Sequence, residues 1–217
     1  MKNFDTKKLT MLGVICALAY VAVLAIRIPA VSFLEYEPKD VIILIGGFLF
    51  GPIAVILSSV VVSFIEMFTI SKTEIYGLIM NILSTCAFAC TAAVIYKKKK
   101  TIIGAAIGLI VGVLLMTVIM ILWNYLIVPL YMNMERKDVV PMLLPVFTTF
   151  NLIKGGINAA LAMLLYKPII TALRKTNLIE TSVNSETKGK INIGVVIVSL
   201  FVLISCVLYI LVLQGKI

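Results

Sequence analysis

Apolar runs of roughly membrane-spanning length recur along most of this chain and leave little choice of fold. They are Leu9–Ile26, Ile53–Ile70, Ile75–Tyr96, Ile102–Leu130, Met142–Leu173 and Ile191–Leu213, with a shorter run, Val41–Phe50, between the first two. About twenty apolar residues cross a bilayer as a helix, because lipid offers no water to an exposed backbone. Composition agrees: the 217 residues are 62% hydrophobic and 13% charged, whereas soluble domains are roughly 45–50% apolar. The expectation is an all-α integral membrane protein. Residues 1–175 read as a six-helix bundle, 176–190 as a polar linker and 191–217 as an additional C-terminal transmembrane helix.

The run Val41–Phe50 is too short to cross alone. It is bounded by Gly46–Gly47 and by Gly51–Pro52, which reads as a short helix ending in a tight turn. Counting it as a crossing lets the charges set an orientation, since basic residues concentrate on the cytoplasmic side. With the N-terminus cytoplasmic, twelve basic residues fall inside, among them Lys7, Lys8 and the run Lys97–Lys100. Six fall outside, together with seven of the ten acids, including Glu35, Glu37, Asp40 and Glu66. The net charge of +9 is thus explained by topology rather than by a nucleic-acid partner.

Within the spans, polar residues are scarce and fall at one depth. At 1.5 Å of rise per residue, Glu66, Asn81, Asn124 and Asn151 each lie about five to seven residues, roughly 10 Å, below the outer ends of their helices. On the sixth long segment, Asn151, Lys154 and Asn158 follow at i, i+3 and i+7, on one helical face. A charge in mid-membrane costs roughly 2.5–3.5 kcal/mol on insertion scales, so convergent polar groups of this kind mark a cavity or pathway. The bland alternatives are a Lys154 that snorkels to the surface, asparagines that merely glue helices, and a Glu66 solvated at its helix end.

Other chemistries are poorly served. The chain has no histidine, which removes histidine metal sites, Ser-His triads and histidine proton relays. No G-x-x-x-x-G-K-[ST] loop occurs, so any ATP-driven step belongs to another chain. Cys86 and Cys90, one helical turn apart, read as polarizable core residues. Amides, one cation and apolar walls suit a neutral or weakly acidic heterocycle with a polar tail. Two other readings are a membrane-embedded enzyme, which lacks a nucleophile or metal set, and a stand-alone secondary transporter, which would want inverted repeats.

Five stretches in order, "EYEPKDVIILIGGFLFGP" (Glu35–Pro52), "GLIMNILSTCAF" (Gly77–Phe88), "NYLIVPLY" (Asn124–Tyr131), "FNLIKGGI" (Phe150–Ile157) and "LLYKP" (Leu164–Pro168), make the chain resemble a known family. These are the substrate-binding S components of energy-coupling factor (ECF) vitamin transporters, of the riboflavin-specific type. The resemblance covers about residues 5–175. It implies a non-enzymatic subunit of a bacterial cell membrane, with six helices, an external loop over the ligand, no cofactor, and riboflavin as transported ligand. It also implies a transmembrane T component and two ATPases as partners. Residue by residue it implies ligand contacts at Asn124, Asn151, Lys154, Asn81 and Glu37, to which Tyr125 and Glu66 are added as candidates. Gly13 and Ala17 form a small-x-x-x-small pair for the T component. A related vitamin or heterocycle, such as another flavin or a pantothenate-like or queuine-like molecule, is the alternative ligand. The seventh span departs from the six-helix pattern.

Overall fold

The computed structural model describes residues 6–31, 34–71, 73–175 and 193–213. Seven helices form in it: α1 (Thr6–Ala25), α2 (Lys39–Phe50), α3 (Pro52–Thr69), α4 (Glu74–Lys99), α5 (Ile102–Met132), α6 (136–175) and α7 (Ile193–Leu213). Among the described residues, six stretches are long and apolar enough to cross a membrane, α2 being the short exception. The expected linker at 176–190 lies outside the described residues.

Small residues set how closely the helices pack. On α5 a straight i, i+4 stripe of Gly104, Gly108, Gly112, Met116, Met120, Asn124 and Val128 is buried. A Cβ at Gly108 would lie 2.9 Å from the carbonyl oxygen of Ala92, and one at Gly112 would lie 2.6 Å from that of Phe88. α4 therefore lies directly on the α5 backbone, with Phe88, Ala89, Ala92 and Ala93 buried at the contact. Gly47 on α2 makes room for side chains instead, since a Cβ there would meet Val55 Cγ2 at 2.4 Å and Ala93 Cβ at 3.2 Å. The Gly51–Pro52 turn follows. Gly51 takes φ +91°, a conformation only glycine adopts freely, and Pro52 opens α3 where no amide donor is needed.

α2 explains why a twelve-residue segment can sit in this bundle. Nine of its residues are buried, and at 1.5 Å per residue it is only about 18 Å long. Its N-terminus thus begins inside the bundle, and the space above is filled by a feature the sequence reading treated as loop. That feature is an antiparallel hairpin of β1 (Ile28–Val31) and β2 (Leu34–Tyr36), pairing Ile28 with Tyr36 and Pro29 with Glu35. Leu34 anchors the hairpin against Val128, Val139 and Phe147 of α5 and α6.

α6 begins at Arg136, six residues before the apolar run expected from the sequence. It carries Pro141 and Pro145, each without an amide donor, and the wide-turn stretch Leu143–Thr148 absorbs the mismatch, with the Thr148 hydroxyl donating to the Leu143 carbonyl at 2.9 Å. α7 packs on α6, where Gly156 admits it: a Cβ there would stand 3.2 Å from the Cys206 sulfur. α1 packs instead on α2 and α3.

Candidate ligand-binding site

The two ends of the bundle differ in chemistry. At the hairpin end, α4, α5, α6, the hairpin and the α3–α4 turn surround a cavity of about 220 Å³. Its lining includes Asn81 and Ser84 from α4, Met120, Asn124 and Tyr131 from α5, and Phe150, Asn151 and Lys154 from α6. Arg27, Leu34, Glu35 and Glu37 contribute from the hairpin, and Ser71 and Thr73 from the α3–α4 turn. Four of the candidate contacts, Asn81, Asn124, Asn151 and Lys154, therefore meet in one hollow, and Glu37 joins them.

The asparagines are oriented by their own helices. The Asn124 amide nitrogen donates to the Met120 carbonyl at 2.7 Å, and that of Asn151 to the Phe147 carbonyl at 2.8 Å. Each side-chain carbonyl oxygen is thereby turned away from its own backbone. Asn124 Oδ1 is buried and has no partner among the described residues. A buried acceptor left unmade costs roughly 1–3 kcal/mol, a cost that an incoming N–H donor would remove.

Charged groups surround the hollow in two sets, one around Lys39 and one around Asp40. Arg27 pairs with Glu35 at 2.5 Å and with Glu37 at 3.0 Å. Lys39, only 1% exposed, pairs with Glu37 at 2.7 Å and also with Glu66. The Asn81 amide donates to the same Glu66 oxygen at 3.1 Å. Lys154 pairs with Asp40 at 3.3 Å, so it does not snorkel. Burial pulls the Glu37 carboxyl upward, but Lys39, Lys154 and Arg27 outweigh it and hold the group below the usual carboxylate range. Burial, reinforced by the Asp40 charge, pushes the Tyr36 phenol above its ordinary value, which keeps its hydroxyl a donor.

Two candidates sit elsewhere. Glu66 is 1% exposed, so it is not a solvated helix end; it stands behind the lining and braces Lys39 and Asn81. Tyr125 does not line the cavity and instead lies under the Arg136 guanidinium, 5.2 Å from the ring centroid. One residue past Asn124 is a 100° turn of the helix, whereas Tyr131, seven past, returns to the Asn124 face and does line the hollow. Gly13 and Ala17 lie on the exposed face of α1, and a Cβ at Gly13 would meet nothing within 4 Å. Arg27, Lys39, Asp40 and Tyr36 join the network around the site without being expected from the sequence, where the one available signal is the length of α2, too short to start at a membrane surface.

Comparison with known proteins gives the family of the chain. Residues 7–166 match the family described as ECF transporter, substrate-specific component. The riboflavin transporter RibU of Staphylococcus aureus is 29% identical over 179 residues, covering 79% of this chain and 94% of that protein. The RibU of Streptococcus thermophilus is 26% identical over 188 residues, covering 80% and 89%. A solved structure described as the S component of a bacterial ECF transporter superposes with a TM-score of 0.67 at 27% identity, over 78% of this chain and 98% of its own. The family match ends before α7.

Proposed function

This chain belongs to the substrate-specific components of ECF transporters, and from that premise we propose that it captures riboflavin in the cavity beneath the hairpin. It is a binding and transport subunit rather than an enzyme. The observation that carries the riboflavin assignment is the meeting of Asn81, Asn124, Asn151 and Lys154 in one hollow, on a chain similar to two riboflavin transporters. A flavin's pyrimidine edge presents an N–H between two carbonyls. The unpartnered Asn124 oxygen is an acceptor for that N–H, and the Lys154 ammonium and Asn81 amide are donors for the carbonyls. Met120, Phe150 and Leu34 offer apolar walls to a flat ring. The hollow is smaller than the roughly 300 Å³ at which drug-sized pockets begin, so the ribityl tail extends toward the mouth, where Arg27, Glu35, Ser71 and Thr73 can meet its hydroxyls.

The orientation follows from charge. Lys97–Lys100 lie at the end opposite the hairpin, so that end faces the cytoplasm of a bacterial cell and the hairpin faces out. A nanomolar complex is worth about 12 kcal/mol, and external work must undo it. A transmembrane T component, docking on the open Gly13–Ala17 face of α1, and two ATPases supply that work.

The test is a titration of the purified chain with riboflavin, following flavin fluorescence. Stoichiometric quenching at or below micromolar ligand is expected. Full fluorescence at micromolar riboflavin, with quenching by another heterocycle, would keep the scaffold and replace the ligand.

A further inference from the structure

Beneath the cavity lies a second layer of polar residues that does not line it. Asp40, in the first turn of α2, is 0% exposed, and both of its oxygens are engaged. Oδ1 accepts from the Thr85 hydroxyl of α4 at 2.6 Å. Oδ2 accepts from the Asn158 amide of α6 at 3.3 Å and faces the Lys154 ammonium at 3.3 Å. Asn158, also 0% exposed, accepts in turn from the Tyr36 hydroxyl at 3.1 Å. The layer thus ties the hairpin, α2, α4 and α6 together at one point.

A buried carboxylate is expensive to desolvate and is seldom kept for stability, since apolar replacements of a buried pair are often neutral or stabilising. Asp40 is nonetheless held from three sides. A helix N-terminus favours its charge, Thr85 and Asn158 fix the plane of its carboxyl, and Oδ2 also faces Lys154. Among the described residues, Asp40 is the only anion within ion-pair distance of that ammonium. Lys154 has four rotatable bonds and would otherwise be free to swing toward Glu37, whose carboxylate it also influences.

Building on the proposed riboflavin site, we propose that Asp40 is a positioning residue: it never touches the ligand but holds Lys154 at the cavity floor, aimed at a ligand carbonyl. Thr85 and Asn158 orient Asp40, and Tyr36 ties the hairpin to the same point.

The experiment is a double-variant cycle by riboflavin fluorescence titration on the full chain, using Asp40→Asn, Asp40→Glu, Lys154→Met and the pair Asp40→Asn with Lys154→Met. Quenching of the unaltered chain tests the ligand reading by itself; the cycle tests Asp40. Asp40→Asn should weaken binding by roughly tenfold or more, the scale of one charge-assisted contact. Asp40→Glu should recover most of that loss. In the Lys154→Met background, Asp40→Asn should change affinity by less than about twofold, because nothing is left to position. Equal losses in both backgrounds would mean that Asp40 acts on its own and would overturn the proposal, as would an unchanged affinity in Asp40→Asn. If Asp40→Asn alone fails to fold while the pair folds, the stranded cation is the cause and the proposal stands. If both fail, Asp40 is purely architectural and the proposal falls.

Discussion

The hairpin end and the Lys97–Lys100 end of this bundle are built on opposite principles. Toward the lysines, Gly108 and Gly112 bring α4 onto the α5 backbone, Gly47 lets α2 close on Val55 and Ala93, and Phe88, Ala92 and Leu109 fill what remains. Toward the hairpin, Arg27, Glu35, Glu37 and Lys154 line a hollow that helix packing leaves open, with Lys39, Asp40 and Glu66 paired behind them. The comparison teaches where stability and function reside. One half holds the helices in register, and the other carries the buried, imperfectly satisfied polar groups that a binding site requires. A bundle packed at one end and hollow at the other has room for a ligand at its hairpin end.

Substitutions should separate the two halves, and the largest effect belongs to the packed one. Gly112→Leu drives a side chain into the Phe88 backbone, which cannot yield as a flexible side chain would. Overpacking of this kind costs about 1–3 kcal/mol where neighbours can adjust and more where they cannot. Detergent-solubilised Gly112→Leu should therefore lose its monodisperse elution, and a normal profile would show the packing contrast to be weaker than drawn. In the hollow half the pattern inverts. Asn124→Leu should weaken riboflavin binding by roughly 1–3 kcal/mol while leaving the melting temperature of the free protein unchanged or raised, because it removes a buried acceptor that has no partner. A fall in both would make Asn124 structural glue.

Acid should also act on the hollow half. Glu37 is held below the usual carboxylate range by its cations, so its contribution to stability is complete above about pH 4.5 and is lost as pH falls through its lowered value. Thermal stability should be flat from pH 8 to pH 5.5 and decline below about pH 4; a decline already at pH 6 would contradict the network as described. The smallest effect concerns α7. It packs on α6 and lies outside the family match, so a chain ending at residue 175 should bind riboflavin with affinity within about twofold of the full chain, a difference below about 0.4 kcal/mol.

Much of this was legible in the sequence, for identifiable reasons. The spans follow from apolar length, and the meeting of Asn81, Asn124 and Asn151 follows from counting residues down from helix ends. The Gly51–Pro52 turn announced itself. What escaped depends on tertiary folding. Arg27, Glu35, Glu37, Lys39 and Asp40 form a charged stretch that looks like a wetted loop, and nothing local says that it folds inward and pairs. Lys39 and Asp40 are buried because α2 is short, a constraint visible only once its neighbours are long. Tyr125 and Tyr131 were separable from helical rotation alone, since only Tyr131 shares a face with Asn124. The early start of α6 was hidden by Pro141 and Pro145, which ordinarily argue against a helix.

A structure of the chain with riboflavin bound tests the central claim most directly. The account predicts the flavin ring beneath the hairpin, with its pyrimidine edge in hydrogen-bond reach of Asn124 and Lys154 and Asn151 alongside. Flavin lodged anywhere else, with those side chains still turned to their own helices, would contradict it.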